Sequence, residues 1–242
     1  MRGAVSTVQG CLIAAASARA AWELWHNPDV VCPICQKRKA KRFCPAKGEM
    51  ICSVCCGTER EVTIDCPSEC PFLASSRQYD WERREREFDW SVLPFPEVKV
   101  PPSFARDQDT LLAAISYAIV KYARDTRPLV DADALAALQA LAEAYRTLTS
   151  GLYYEKPPDY IYQRQLYDAL KAAIEEYKKT EAQRLAAMST HDSDIRDALI
   201  FFTQLGARYT NGRPKSRAYL DFLRSQLHAE DASKAETRIV LP

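Results

Sequence analysis

Five stretches after residue 105 repeat apolar side chains every three or four positions, the spacing of a helix that buries one face. Leu111, Leu112, Ile115, Ile119 and Tyr122 mark the first stripe, and Leu135, Leu138, Leu141, Tyr145 and Leu148 the second. Leu166, Leu170, Ile174 and Tyr177 mark the third, extending towards Leu185. Ile195, Leu199 and Phe202 mark the fourth, and Leu220, Leu223 and Leu227 the fifth. The punctuation agrees: Asp131 or Asp133 can cap the second helix, Gly151 can end it, and Pro157-Pro158 separates it from the third. Ser193 can cap the fourth helix and Gly206 end it. The pattern predicts a bundle of about five helices over 105–230 and a tail over 231–242, with the stripe tyrosines in the core.

Upstream the pattern changes. Residues 32–72 lack long apolar runs. Over 75–90 the charges alternate, Asp80–Arg84 and Glu82–Arg86 fall at i,i+4, and Trp81, Glu85 and Phe88 share a face, so a short amphipathic helix is expected. Pro94, Pro96, Pro101 and Pro102 forbid regular structure over 91–102, which reads as a linker, so 73–104 is a helix followed by a proline-rich connection. Residues 1–31 read as a leader. The uncharged run Gly3–Ala18 is too short and too polar to span a membrane. Ala18-Arg19-Ala20 has the spacing of a signal-peptide cleavage site, but the thiol chemistry below favours a reducing, cytoplasmic setting.

Composition narrows the function classes. The chain has 242 residues, 47% of them hydrophobic, enough for a real core. Its 33 basic and 32 acidic side chains leave a formal charge of +1, so whole-chain attraction to nucleic acid or membrane does not carry the function. The 7 glycines form neither GxG nor a Walker loop, which removes glycine-cradled nucleotide binding. His26, His191 and His228 stand isolated, with no nucleophile, base and orienter set, and receive no role.

The informative residues are cysteines. Eight of nine lie in one stretch: Cys32-x2-Cys35-x8-Cys44-x7-Cys52-x2-Cys55-Cys56-x9-Cys66-x3-Cys70, with Cys11 outside it. A two-residue gap lets both sulfurs of one tight turn face a single ion. Eight cysteines suffice for two closed tetrahedral zinc sites, and a closed site is structural, whereas a catalytic zinc keeps a position open. An interleaved pairing places Cys32, Cys35, Cys52 and Cys55 on one ion and Cys44, Cys56, Cys66 and Cys70 on the other. A sequential pairing would force adjacent Cys55 and Cys56 onto one ion. An iron–sulfur cluster is the alternative cofactor, since Cys32, Cys44, Cys66 and Cys70 each precede proline, although the ferredoxin C-x2-C-x2-C run is absent. The apolar residues of 32–72 are Ile34, Phe43, Met50, Ile51, Val54, Val62, Ile64 and Phe72, too few to fold about 40 residues without metal. The fold class expected is therefore mainly α: a small two-zinc, all-cysteine finger module at 32–72, then the bundle.

The cysteine stretch resembles small cross-brace zinc fingers of the HIT type, in which paired cysteines interleave around two zincs, and it is similar to a group of bacterial proteins with a like stretch. The resemblance covers Cys32–Cys70. It departs from the HIT pattern in having no histidine ligand, a solitary Cys44, and Cys56 adjoining Cys55. HIT-type fingers act as protein-interaction modules, so the resemblance implies a protein partner.

Two basic strips bear on a second reading. Lys37, Arg38, Lys39, Lys41, Arg42 and Lys47, with Phe43 among them, occur without an acid between 36 and 48. Arg208, Arg213, Lys215 and Arg217 form a second strip, with Tyr209 and Tyr219 near its ends, around the turn Asn211-Gly212-Arg213-Pro214. The first strip is expected to neutralise thiolates and the second to be a solvated loop; the alternative is contact with RNA or DNA phosphates. Tyr153-Tyr154-Glu155-Lys156-Pro157-Pro158 reads as an ordered connector packed on the bundle. The sequence thus points first to a zinc-binding adaptor acting through protein contacts, with no membrane span and no small-molecule substrate. An RNA- or DNA-associated factor comes second, and an iron–sulfur or metal-dependent enzyme third.

Overall fold

The computed structural model describes residues 30–87, 92–185 and 190–236, without the side chains of 85–87, 184–185 and 228–236. Residues 1–29 of the leader, with Cys11 and His26 among them, Phe88, the side chains of Glu85, Leu185 and His228, and the last residues of the tail lie outside the described residues. The chain divides into two compact units, Met1–Cys70 and Pro71–Pro242. The protein is mainly helical, with eight helices and one two-stranded sheet among the described residues.

In the first unit, β1 (Arg42–Cys44) pairs antiparallel with β2 (Glu49–Ile51), in the register Arg42↔Ile51, Phe43↔Met50 and Cys44↔Glu49. Gly48, at φ +67°, closes the hairpin turn by donating its amide to the Cys44 carbonyl at 2.8 Å. Strand alternation sends Cys44 and Ile51 inwards and leaves Phe43 on the outer face. The helix α1 (Ser53–Glu59) follows directly. Among the described residues of this unit Ile51 and Ile64 are buried and pack among cysteines, whereas Phe43, Val54 and Val62 remain exposed.

The second unit carries α2 (Pro71–Glu87), α3 (Phe104–Asp107), α4 (Asp109–Asp125), α5 (Asp131–Thr149), α6 (Ile161–Leu185), α7 (Asp192–Tyr209) and α8 (Ala218–Glu236). The most extensive pairings are α5 with α7, then α4 and α5 with α6. All five sequence stripes face one core: Leu111, Ile115, Ile119, Leu138, Leu141, Leu166, Leu170, Ile174, Ile195, Leu199, Leu220 and Leu223 are buried there. None of the described helices is long and apolar enough to cross a membrane.

Several local expectations are corrected. Gly206 does not end its helix. It lies inside α7, where a Cβ would sit 2.6 Å from Leu135 Cδ2 and 2.9 Å from the Tyr219 ring, so three helices meet where a side chain is missing. His191, not Ser193, occupies the N-cap of α7. Arg84 donates to the Thr210 carbonyl rather than pairing with Asp80, because α2 is docked: Arg77 bonds Asp221 at 2.7 Å and Trp81 stacks on Tyr209. The proline-rich stretch has little regular structure, as expected, but it is pinned. Phe95, Val98 and Val100 pack on the core, and Gln204 donates to the carbonyls of Pro94 and Phe95 at 3.1 and 3.2 Å. Gly151 does close α5, at φ +87°.

Candidate metal centre

Two local structures converge in the first unit. The turn Cys32-Pro33-Ile34-Cys35 is held by the Gln36 amide on the Cys32 carbonyl and the Cys32 amide on the Arg38 carbonyl, both at 2.8 Å, with Gln36 at φ +51°. The Lys41 amide then bonds the Ile51 carbonyl at 2.9 Å, and so the hairpin returns the chain beside its start. Cys52 is the N-cap of α1 and accepts the Cys55 amide on its sulfur at 3.3 Å. Each C-x2-C pair is thus a tight turn whose amides face sulfur.

The result is a closed quartet. The sulfurs of Cys32, Cys35, Cys52 and Cys55 all lie within 4.8 Å of one another, and Cys35 and Cys52 are 3.9 Å apart. Four sulfurs placed tetrahedrally about 2.3 Å from one ion stand about 3.8 Å apart, whereas a disulfide needs about 2.05 Å. The eight described cysteines are free thiols. Cys32, Cys52 and Cys55 are buried and Cys35 half-buried, so an ion there is enclosed by sulfur. This is the first quartet of the interleaved pairing. Four cysteines can hold one metal ion here, and a donor set of four sulfurs fits a tetrahedral thiolate-binding metal.

The electrostatics favour thiolates on one side of the quartet. The backbone amides of Lys37 and Arg38 hold the Cys35 thiol down to about 6, against its desolvation. Cys32 is also lowered: burial opposes this, and the backbone amides of Cys52, Cys35 and Ile34 together prevail. Burial, followed by hydrogen bonding to the other three sulfurs, pushes the Cys55 thiol up to about 12.

Cys44, Cys56, Cys66 and Cys70 lie in the same unit. Cys44 and Cys70 are buried, Cys56 and Cys66 half-buried, but they are not drawn into a second quartet; among the described residues Cys32, Cys35, Cys52 and Cys55 form the one such group. Burial pushes the Cys66 thiol up, against a bond from the Glu61 amide, and Cys70, the Glu61 carboxylate and Cys44 add to the rise. Arg42 and Arg60 each place a guanidinium nitrogen 3.7 Å from Cys56 Sγ. Arg60, the C-cap of α1, and the buried Glu61 escaped the sequence reading, although Arg60 stands four residues after Cys56.

The basic strips separate. Lys37, Arg38, Lys39, Lys41 and Lys47 are exposed, and among the described residues Arg42 is the one member of its strip that bonds a sulfur. In the other strip Arg208 covers the Trp81 ring at 5.2 Å, and Arg217 donates to the Leu129 carbonyl at 3.0 Å. Tyr209 is stacked between Trp81 and Phe222, and Tyr219 is buried. Arg213 and Lys215 flank the same turn, half-buried. No protein-family model matches this chain, nor does any curated protein or solved structure.

Proposed function

We propose that the chain is a non-catalytic interaction protein whose finger is braced by structural zinc. The observation that carries this reading is the convergence of the Cys32, Cys35, Cys52 and Cys55 sulfurs, all within 4.8 Å of one another and one pair at 3.9 Å, on a space for a single ion. When bound, the ion supplies cross-links, not chemistry; the residues between its ligands do the recognising. The spacing supports zinc over an iron–sulfur cluster, because a cluster sets its cysteines on different irons and so spreads some of the sulfurs further apart than the 4.8 Å that bounds this quartet. A second zinc is assigned to Cys44, Cys56, Cys66 and Cys70, supported by their enclosure in the same unit and by the two guanidinium donors on Cys56, which offset thiolate charge. A cytoplasmic setting belongs to this reading, since clustered thiols at metal spacing stay reduced there.

A protein partner is supported by apolar side chains left in solvent. On the finger these include Phe43, Val54, between two ligands, and Val62; on the bundle they include Leu152, Tyr153, Tyr154 and Ile161. Beside Tyr154 a groove of about 540 Å³ is floored by Ala136, Ala140 and Ala144. HIT-type fingers, which the cysteine spacing resembles, serve protein contacts.

Native mass spectrometry with elemental analysis tests the reading. Two zinc ions per chain and no visible absorbance are expected, and exhaustive chelation unfolds residues 32–70. A single ion removes the second site; iron, or a finger that stays folded without metal, overturns the reading.

A further inference from the structure

We infer that the groove beside Tyr154 receives a proline-rich segment of a partner protein, in the polyproline II conformation and carrying a carboxylate for Lys156. The inference rests on the interaction-protein reading and gives the partner a chemistry. The groove holds about 540 Å³, a usual size for a binding cleft. Along α5 it runs from Ala136 to Ala144, and Pro94, Phe95, Tyr154 and Pro158 add proline and aromatic surface from two loops.

Both loops are fixed before any partner arrives. Gln204 donates to the carbonyls of Pro94 and Phe95, and the Val98 amide donates to the Phe95 carbonyl at 3.0 Å. Phe95 sits at φ +56°, a left-handed conformation that a bulky residue keeps only where its surroundings impose it. In the other loop the Thr147 hydroxyl donates to the Tyr154 carbonyl at 3.1 Å and accepts the Tyr154 amide at 3.3 Å. A cleft already in shape loses little affinity to ordering.

The polar groups of the lining choose the occupant. The Gln139 side-chain amide, the Tyr154 hydroxyl and the Lys156 ammonium have no hydrogen-bond or ion-pair partner among the described residues. The carboxylate of the lining, Glu143, is held by Arg146 through two bonds of 2.8 Å. The groove therefore offers donors, one of them charged, beside apolar surface. A helical partner has its carbonyls bonded internally and would leave these donors unanswered. Strand addition needs a sheet edge, and the sheet among the described residues belongs to the first unit. Polyproline II makes no internal hydrogen bonds, so its carbonyls are free, and each proline lacks the N–H that would need an acceptor. Its rings suit aromatic grooves. Length agrees: Ala136 to Ala144 is about 12 Å of helix, about four polyproline II residues at ~3.1 Å each. Lys156 adds the demand for an acid beside the prolines.

The test is fluorescence anisotropy of the full chain with the labelled peptide Glu-Pro-Pro-Leu-Pro-Pro-Leu-Pro. The control Glu-Ala-Ala-Leu-Ala-Ala-Leu-Ala keeps charge and leucines but favours helix. The proline peptide should bind saturably, and the control at least about ten-fold more weakly. Tyr154 and Lys156 are exposed, so their variants keep the fold, which circular dichroism checks. Tyr154→Ala should weaken binding about thirty-fold and Tyr154→Phe about two- to ten-fold. Lys156→Glu should weaken it too, and a peptide headed by lysine in place of glutamate should restore it. No saturation by wild type up to about 1 mM overturns the inference, as does Tyr154→Ala binding like wild type or a charge swap without rescue. A control bound as tightly as the proline peptide overturns it in favour of a helical partner. The bundle is a separate compact unit, so chelation should leave peptide binding unchanged. Peptide failure in a chain that carries zinc removes this inference alone, and peptide binding by a chain that never holds zinc removes the braced finger alone.

Discussion

Asp131 and Tyr219 join the beginnings of two helices that lie far apart in the chain. Asp131 is the first residue of α5, yet its carboxylate caps α8. Oδ2 accepts the Tyr219 amide at 3.2 Å and the Ser216 hydroxyl at 2.7 Å, while Oδ1 accepts the Leu220 amide at 3.2 Å. Its own amide donates to the Ser216 carbonyl at 2.8 Å. Burial pushes this carboxyl above its ordinary range, against those same hydrogen bonds. Asp131→Ala strands buried donors at the start of α8 and should destabilise the bundle by about 2–4 kcal/mol. Asp131→Asn keeps one acceptor and should cost about half as much. Urea unfolding of the two variants checks the order; equal, small losses would show that water replaces the carboxylate.

Gly206→Ala sets two effects against each other. Alanine favours a helix over glycine by about 1 kcal/mol. Against that, the new methyl group would lie 2.6 Å from Leu135 Cδ2 and 2.9 Å from Tyr219 Cε1. The leucine tip can turn aside, but Tyr219 is fully buried and its hydroxyl holds the Phe202 carbonyl at 3.0 Å. Overpacking should win, for a net loss of about 1–2 kcal/mol by thermal or urea unfolding. A gain in stability would mean that α7 slides outward at little cost.

Cysteine substitutions separate the two ligand sets. Cys35→Ser or Cys52→Ser should remove one zinc and unfold the finger, since ion binding supplies on the order of 10 kcal/mol in small zinc modules and the finger buries little else. Cys66→Ser should remove the other ion, and Cys11→Ser neither. The bundle is a separate compact unit with its own core, so its unfolding transition should stay in place in all four. Metal stoichiometry alongside circular dichroism reads both. Equal metal loss from Cys11→Ser and Cys35→Ser would contradict the assignment.

The bundle was legible because each buried position recurs at helical spacing: Leu111, Ile115 and Ile119 need no knowledge of their partners to be recognised. Gly206 was misread for the opposite reason: a glycine near the end of a stripe looks like a stop, whereas here it makes room for Leu135 and Tyr219. Of the two aspartates expected at the start of α5, Asp133 accepts the Val130 amide at the N-cap, while Asp131 caps α8, which local pattern does not reveal. The same division holds in the finger. Cys32, Cys35, Cys52 and Cys55 were legible as turns of two-residue gap, and the structure gathers them. Cys44, Cys56, Cys66 and Cys70 are single residues on a strand, a helix and a loop, so no local geometry ties them to one point. The proline segment shows its lack of helix in its composition but not its attachment to Gln204.

Glu155 gives the pH dependence a definite sign. Lys171 Nζ donates to both carboxylate oxygens, at 2.7 and 2.8 Å, the buried Tyr167 hydroxyl donates at 2.7 Å, and Tyr153 adds a further bond. Lys171 first, then Tyr153, hold the Glu155 carboxyl down to about 2, from an ordinary 4.5. A depressed acid stabilises the fold fully above its unfolded value and loses that contribution as pH falls towards the folded one. The window is therefore pH 4.5 down to about 2. Lys171 is raised above 10.5 by the same pair, so the contribution persists through neutral and mildly alkaline pH. Glu155→Gln should cost about 1–2 kcal/mol at neutral pH, after allowing for solvent screening of a partly exposed pair. The gap between wild type and variant should stay constant from pH 5 to 9 and close on acidification through the Glu155 window, as unfolding midpoints along a pH series would show. Profiles that run parallel down to the acid limit would mean that the Lys171 and Tyr167 contacts hold without the charge.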